Sequence, residues 1–244
     1  MQKKCILITG VLGGIGSAIA KMFKENDYYV YGLDIRHAEV DFLDKLLVFD
    51  LHKFCTNSEY REQYKAYLDS ELPRLDVLVN NAAVQLLDKL DDLKLDEWQE
   101  TLNVNLTGPL LLSQMFLKRL ESVQGAIVNI GSIHQQLTKP RFISYATSKS
   151  ALIGLTKALA VDLEGRVRVN AISPAAIQTE MLLAGFNGNE AALDELRKIH
   201  PVQRIGYPQD VAKLVLFLSS ENSGFIHGAN LTLDGGISSV LKDL

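Results

Sequence analysis

Seven short apolar runs, separated by longer stretches of helical periodicity, constrain this chain more than any other feature of its sequence. The runs fall at residues 5–9, 29–33, 46–49, 77–80, 126–130, 167–172 and 230–233. They are rich in β-branched residues and nearly continuous in hydrophobicity, the pattern of strands covered on both faces. Helical patterns are predicted over 14–26, 58–70, 96–120, 146–163, 189–198 and 208–219. This alternation predicts an α/β protein: a doubly wound, mainly seven-stranded parallel sheet with helices on both faces, Rossmann-like. No Pro/Gly/Ser-rich linker or internal repeat divides the chain, so a single domain over residues 1–244 is expected. The stretch 178–203 follows a strand end and carries no strand signal, and is read as a substrate flap. The charge-dense segment 88–98 is read as a solvated amphipathic surface.

Composition narrows the partners. Of 244 residues, 47% are hydrophobic and 22% charged, which excludes a disordered or fibrous chain. The net charge of −4, without a clustered basic stretch, argues against nucleic acid. No stretch approaches the roughly 20 apolar residues that cross a bilayer, so no membrane partner is expected. The start MQKKCILITG lacks both the apolar length and the cleavage site of a signal peptide. Cys5 and Cys55 make no disulfide framework and suit a reducing compartment. No metal ligands are assigned. The expectation is a cytoplasmic protein whose partners are a small-molecule substrate and further copies of itself, as a homo-oligomer.

The first predicted strand runs into Thr9-Gly10-Val11-Leu12-Gly13-Gly14-Ile15-Gly16, and a helix follows at once. Gly10 permits a tight turn, Gly14 lets the backbone approach a pyrophosphate, and Gly16 lets the helix pack closely on the strand. The Gly-x₃-Gly-x-Gly spacing differs from G-x-G-x-x-G, and no Lys-Ser/Thr pair makes it a P-loop. Asp34 closes the second strand, where an acidic residue accepts the adenosine ribose hydroxyls and repels a 2′-phosphate. NAD is therefore favoured over NADP, with Arg36 the nearby cation that a phosphate would recruit.

Tyr145 and Lys149 lie at i and i+4 at the start of a helical pattern, so that both project from one face. An ammonium beside a phenol stabilises the phenolate, so the pair can take a proton from an alcohol, or return it, as hydride moves. Ser132 follows the strand 126–130, where its hydroxyl either holds a substrate oxygen or merely forms a turn. Asn105 lies within the predicted helix 96–120, where a buried amide serves as a network member or as a water-holding relay group.

Taken in order, these residues resemble the compact single-domain branch of the short-chain dehydrogenase/reductase family, and the likeness covers nearly the whole chain. The marks are Thr9-Gly10-x₃-Gly14-Ile15-Gly16, Asp50-Leu51, Asn80-Asn81-Ala82, Asn105, Ser132, Tyr145-x₃-Lys149, Arg168-Val169-Asn170 and Asp234-Gly235-Gly236. The resemblance implies an NAD(P)-dependent oxidoreductase acting on an alcohol or carbonyl, assembled as a homotetramer. Tyr145 is then the proton donor or acceptor, Ser132 orients the substrate oxygen, and Asn105 holds a relay water. Lys149 lowers the Tyr145 pKa and binds the nicotinamide ribose. Cofactor contacts are implied at Gly10, Gly14, Ile15, Gly16 and Asp34, with Asp50 and Leu51 at the adenine. Asn81 belongs to the ribose side, and Ile177 and Thr179 to the carboxamide. Two positions depart from the pattern: Ala83 and Ala175 stand where the family has glycine.

Gln85, His134 and Arg141 are the candidate substrate contacts. Gln85 and His134 resemble the pattern of 3-hydroxybutyrate dehydrogenases, in which a lysine stands where this chain has Phe142. Arg141 is the available substitute for holding a carboxylate. A small polar substrate, with a hydroxy acid foremost, is expected. The alternatives are a sugar or polyol, an oxoacyl-type substrate, or a catalytically silent dinucleotide-binding protein.

Overall fold

A computed structural model of the chain describes residues 3–241. Its strands are β1 (Cys5–Thr9), β2 (Tyr29–Asp34), β3 (Lys45–Val48), β4 (Val77–Asn80), β5 (Ala126–Ile130), β6 (Arg168–Pro174) and β7 (Asn230–Leu233). They form one sheet in the order β3-β2-β1-β4-β5-β6-β7, with every neighbouring pair parallel. The chain winds outward from β1 to β3, crosses back, and then winds the other way from β4 to β7. The carboxyl ends of β1 and β4 therefore flank a topological switch point, the place where such sheets bind ligands.

The helices are α1 (Gly14–Glu25), α2 (Leu51–Thr56), α3 (Ser58–Glu71), α4 (Leu95–Leu102), α5 (Gly108–Ser122), α6 (Ile143–Asp162), α7 (Glu180–Phe186), α8 (Glu190–Lys198) and α9 (Pro208–Ser219). The period-2 alternation of a strand divides the core between two layers. Cys5 and Leu7 pack with Phe54, Leu68, Leu112 and Phe116 of α2, α3 and α5. Ile6 and Ile8 pack with Ile19 and Phe23 of α1 and Val211 and Val215 of α9. At roughly 1.5–3 kcal/mol for each such side chain, these layers outweigh exposed ion pairs such as Lys94–Glu97. Arg168 joins β6 to α9 by donating to the carbonyls of Leu218 (2.8 Å) and Ser220 (3.1 Å).

Four expectations change. The helix predicted over 96–120 is two helices, α4 and α5, joined by a π-helical turn at Asn103–Thr107. Pro109 has no N–H for the ladder, and Gly108 is packed against Leu51, so the backbone widens there. The helices α2 and α7, six and seven residues long, were too short to show a period. β3 lies one residue earlier than predicted, on the sheet edge, where Val48 is 44% exposed. Finally, the segment 88–98 is not solvated throughout: Asp88 at its head is buried.

Candidate active site

The glycine turn is held in a shape that side chains would obstruct. Gly10 has φ +62°, and a Cβ on it would lie 2.9 Å from the Ala82 Cα. A Cβ on Gly16 would meet the Gly10 carbonyl oxygen at 2.3 Å. Gly13 caps α1 without a side-chain hydrogen bond, and no acidic residue occupies the first turn. The leading amides of α1, among them Gly14 and Ile15, therefore face the switch point available to an anion. A Cβ on Gly14 would stand 2.9 Å from the Thr179 Cγ2, so the residue that caps α7 packs against the turn. Ile177 is buried beside it.

Asp34 ends β2 and is 6% exposed. Its Oδ2 accepts from the Leu12 N–H at 2.9 Å, and its Oδ1 accepts from the backbone and Nε of Arg36, each at 3.1 Å. Asn81 commits its side-chain amide to the carbonyls of Thr9 (2.9 Å) and Gly10 (3.1 Å), which ties β4 to the glycine turn. Asp50 caps α2 through the Lys53 N–H at 2.9 Å, and its own N–H donates to the Tyr60 Oη at 2.8 Å. Leu51 turns its side chain into the core. The uncapped helix start, the carboxylate at the next strand end and the close-packed glycines fit a dinucleotide laid across the switch point.

The second group of residues stands at the end of β5 and the start of α6. The Ser132 side chain stands near enough to the Tyr145 phenol to lower its pKa in part. His134 donates its backbone N–H to the Ser132 Oγ at 3.2 Å. The His134 ring stacks on Phe142 (centroids 4.3 Å apart, planes 1° apart) and meets Tyr145 edge-on at 5.7 Å. Its Nδ1 lies 3.0 Å from the Thr138 Oγ1. Burial, and the Lys139 charge behind it, hold the imidazole below its ordinary pKa.

Lys149 is 2% exposed, and its Nζ donates to the Ile130 carbonyl at 2.8 Å. Burial lowers its pKa to about 8. Its Nζ stands 5.6 Å from the centre of the Tyr145 ring. Burial raises the pKa of the phenol, and Ser132 only partly offsets this. The protonated phenol is thus the form present at neutral pH.

Asn105 sits in the π-helical turn with both ends of its amide occupied. Its Oδ1 accepts from the Val84 N–H at 2.9 Å, and its Nδ2 donates to the Val84 carbonyl and the Ser148 Oγ, each at 3.0 Å. Gln85, next in the same loop, is exposed. Arg141 has φ +73° and lines a cavity of about 440 Å³ with Lys139, Phe142 and Thr147, of which Phe142 stacks on His134. Ser148 and Thr138 were missed from the sequence. Ser148 carried a signal, since three positions after Tyr145 on a helix shares its face; Thr138 carried none.

Known proteins resemble this chain over nearly its whole length. The family model described as enoyl-(acyl carrier protein) reductase matches residues 10–238. An NAD-dependent glycerol dehydrogenase of Listeria innocua is 34% identical over 238 residues, covering 96% of this chain and 93% of that one. A D-threitol dehydrogenase of Mycolicibacterium smegmatis is 35% identical over 244 residues, covering 97% and 93%. The ligand-free aldohexose dehydrogenase of Thermoplasma acidophilum superposes with a TM-score of 0.91 at 32% identity, covering 100% of this chain and 97% of that one.

Proposed function

Since the chain belongs to the short-chain dehydrogenase/reductase family and is an NAD(P)-dependent oxidoreductase acting on CH–OH groups, we propose that it interconverts a secondary alcohol and a ketone of a small polar substrate. The observation that carries the proposal is the cluster of Ser132, His134, Tyr145 and Lys149 at the carboxyl end of β5. When bound, the nicotinamide takes up or gives the hydride. Ser132 holds the substrate oxygen through its Oγ. The Tyr145 Oη gives its proton to that oxygen in reduction and takes it back in oxidation. The Lys149 ammonium favours the phenolate left behind. Asn105, through Val84, holds the wall of the cleft that carries Gln85.

NAD is the proposed cofactor over NADP, supported by Asp34. Its carboxylate stands where a 2′-phosphate would come, and it already holds Arg36. The proposed substrate is a neutral polyol or sugar. The groups that face Tyr145 from the end of β5 are the Ser132 hydroxyl and the His134 imidazole, whose burial favours the neutral form. The glycerol and threitol dehydrogenases among the relatives support the same class. A hydroxy acid is the second reading, favoured by Lys139, whose Nζ stands 4.7 Å above the Phe142 ring behind His134.

No helix among the described residues is long and apolar enough to cross a membrane. A cytoplasmic homotetramer is proposed, supported by the apolar groups exposed on α5 and α6, Leu110 at 41% and Val161 at 80%. Turnover of NAD and NADP with glycerol, tetritols, aldoses and hydroxy acids tests the reaction, and light scattering tests the assembly.

A further inference from the structure

We propose that Asp88 is a positioning residue for Tyr145, a role that rests on the dehydrogenase reading above. Asp88 is 5% exposed, although Lys89, Leu90, Asp91 and Asp92, which follow it, are exposed. Its Oδ2 accepts a hydrogen bond from the Oγ of Ser144, a fully buried residue immediately before Tyr145. Its backbone N–H donates to the Arg141 carbonyl at 3.1 Å, and it pairs with Phe142 in an isolated parallel bridge. Asp88 thus grips three of the four residues that lead into Tyr145, and Phe142 among them carries the stacked His134 ring.

The same loop is anchored at its other end, where Val84 exchanges two hydrogen bonds with Asn105. Residues 84–88, which include the candidate substrate contact Gln85, therefore span from the π-helical turn to the start of α6. Asp88 sets the register between that wall of the cleft and the proton-transfer group. Its other oxygen, Oδ1, is buried without a hydrogen-bond partner. A carboxyl group buried on a single hydroxyl donor costs stability rather than adding it. An apolar residue would serve packing better at this place; what Asp88 supplies is the fixed start of α6. Small displacements of a proton-transfer group lower rate steeply.

The full chain carrying Asp88→Ala, Asp88→Asn, Ser144→Ala or the double Asp88→Ala/Ser144→Ala substitution tests this. Each is measured by kcat, KM, the pH profile of kcat/KM, and NADH binding by fluorescence. Asp88→Ala and Ser144→Ala should each lower kcat by about tenfold to a hundredfold, shift the pH profile, and leave NADH affinity unchanged. The double substitution should cost no more than either single one. Asp88→Asn, which keeps an acceptor oxygen for Ser144, should recover most of the loss. Wild-type kcat and pH profile in Asp88→Ala would overturn the proposal, as would an Asn variant no better than the alanine one. If Asp88→Ala does not fold, the Asn and Ser144 variants decide. A wild-type protein that binds NADH but turns over no substrate sinks the dehydrogenase reading itself, a failure distinct from that of Asp88 alone.

Discussion

Asn105 and Val84 close a two-bond ring: the Val84 N–H donates to the Asn105 Oδ1 at 2.9 Å, and the Asn105 Nδ2 donates back to the Val84 carbonyl at 3.0 Å. A side chain in the π-helical turn thereby substitutes for a neighbouring strand, satisfying the backbone of the loop that leaves β4. Asn105→Ala removes the partner of a donor and an acceptor at once. Val84 is only half-buried, so the expected cost is about 1–3 kcal/mol for the two groups together, with a fall in kcat as the loop loosens. Urea unfolding beside steady-state kinetics checks both; unchanged unfolding would contradict the account.

Lys149 makes stability depend on pH. Burial holds its pKa at about 8, below the ordinary 10.5. Between those values the unfolded chain keeps a proton that the folded chain has lost, so stability rises with pH across that window. Below about pH 8 the folded state carries a buried ammonium at a cost of roughly 3 kcal/mol, at about 1.4 kcal/mol per pH unit. Lys149→Met should therefore abolish turnover yet melt at a higher temperature than wild type at pH 7, with the gap narrowing towards pH 10.5. Thermal melts at both pH values test this, and a gap that widens with pH would contradict it.

The proposed preference for NAD rests on the Asp34–Arg36 pair. Asp34→Ala removes the negative charge at the end of β2 and frees the Arg36 guanidinium, which is 3.1 Å away in the native pair. The preference for NAD over NADP, read as a ratio of kcat/KM values, should fall by about tenfold or more. A ratio unmoved by the substitution would place cofactor selection elsewhere.

Gly16→Ala tests the close packing of α1 on the turn. The added methyl would stand 2.3 Å from the Gly10 oxygen and 2.8 Å from the Val11 Cα, both backbone atoms that cannot swing aside. The expected result is a loss of about 1–3 kcal/mol in stability and weaker NADH binding. Gly185→Ala, whose Cβ meets nothing within 4 Å, is the control and should change neither.

Much of the fold was legible because a parallel sheet buried on both faces leaves near-continuous apolar runs. β1, β4, β5 and β7 lie where those runs predicted. What escaped has physical causes. A six-residue helix such as α2 is too short to display a period, and it is stabilised by the Asp50 cap and by Leu51 and Phe54 in the core rather than by its own pattern. The π-helical turn is set by Pro109 and by Leu51 against Gly108, a contact between residues far apart in sequence. The placement of Tyr145 and Lys149 on one helix and of Ser132 after a strand end was readable from the helix and strand patterns. The left-handed backbone of Arg141, which with Phe142 lines a cavity at the start of α6, is a conformation that no spacing encodes. Asp88 looked like part of a solvated run because charge density alone does not reveal that Ser144 is waiting across the cleft.

The central claim is that the Tyr145 phenol transfers the proton that accompanies hydride transfer. Turnover followed by NADH absorbance, with glycerol, tetritols, aldoses and hydroxy acids, should be compared between wild type and Tyr145→Phe at equal NADH occupancy. The account predicts a loss of about a hundredfold or more in kcat, with NADH binding and fold intact. A Phe variant that keeps wild-type kcat on the best substrate would contradict it.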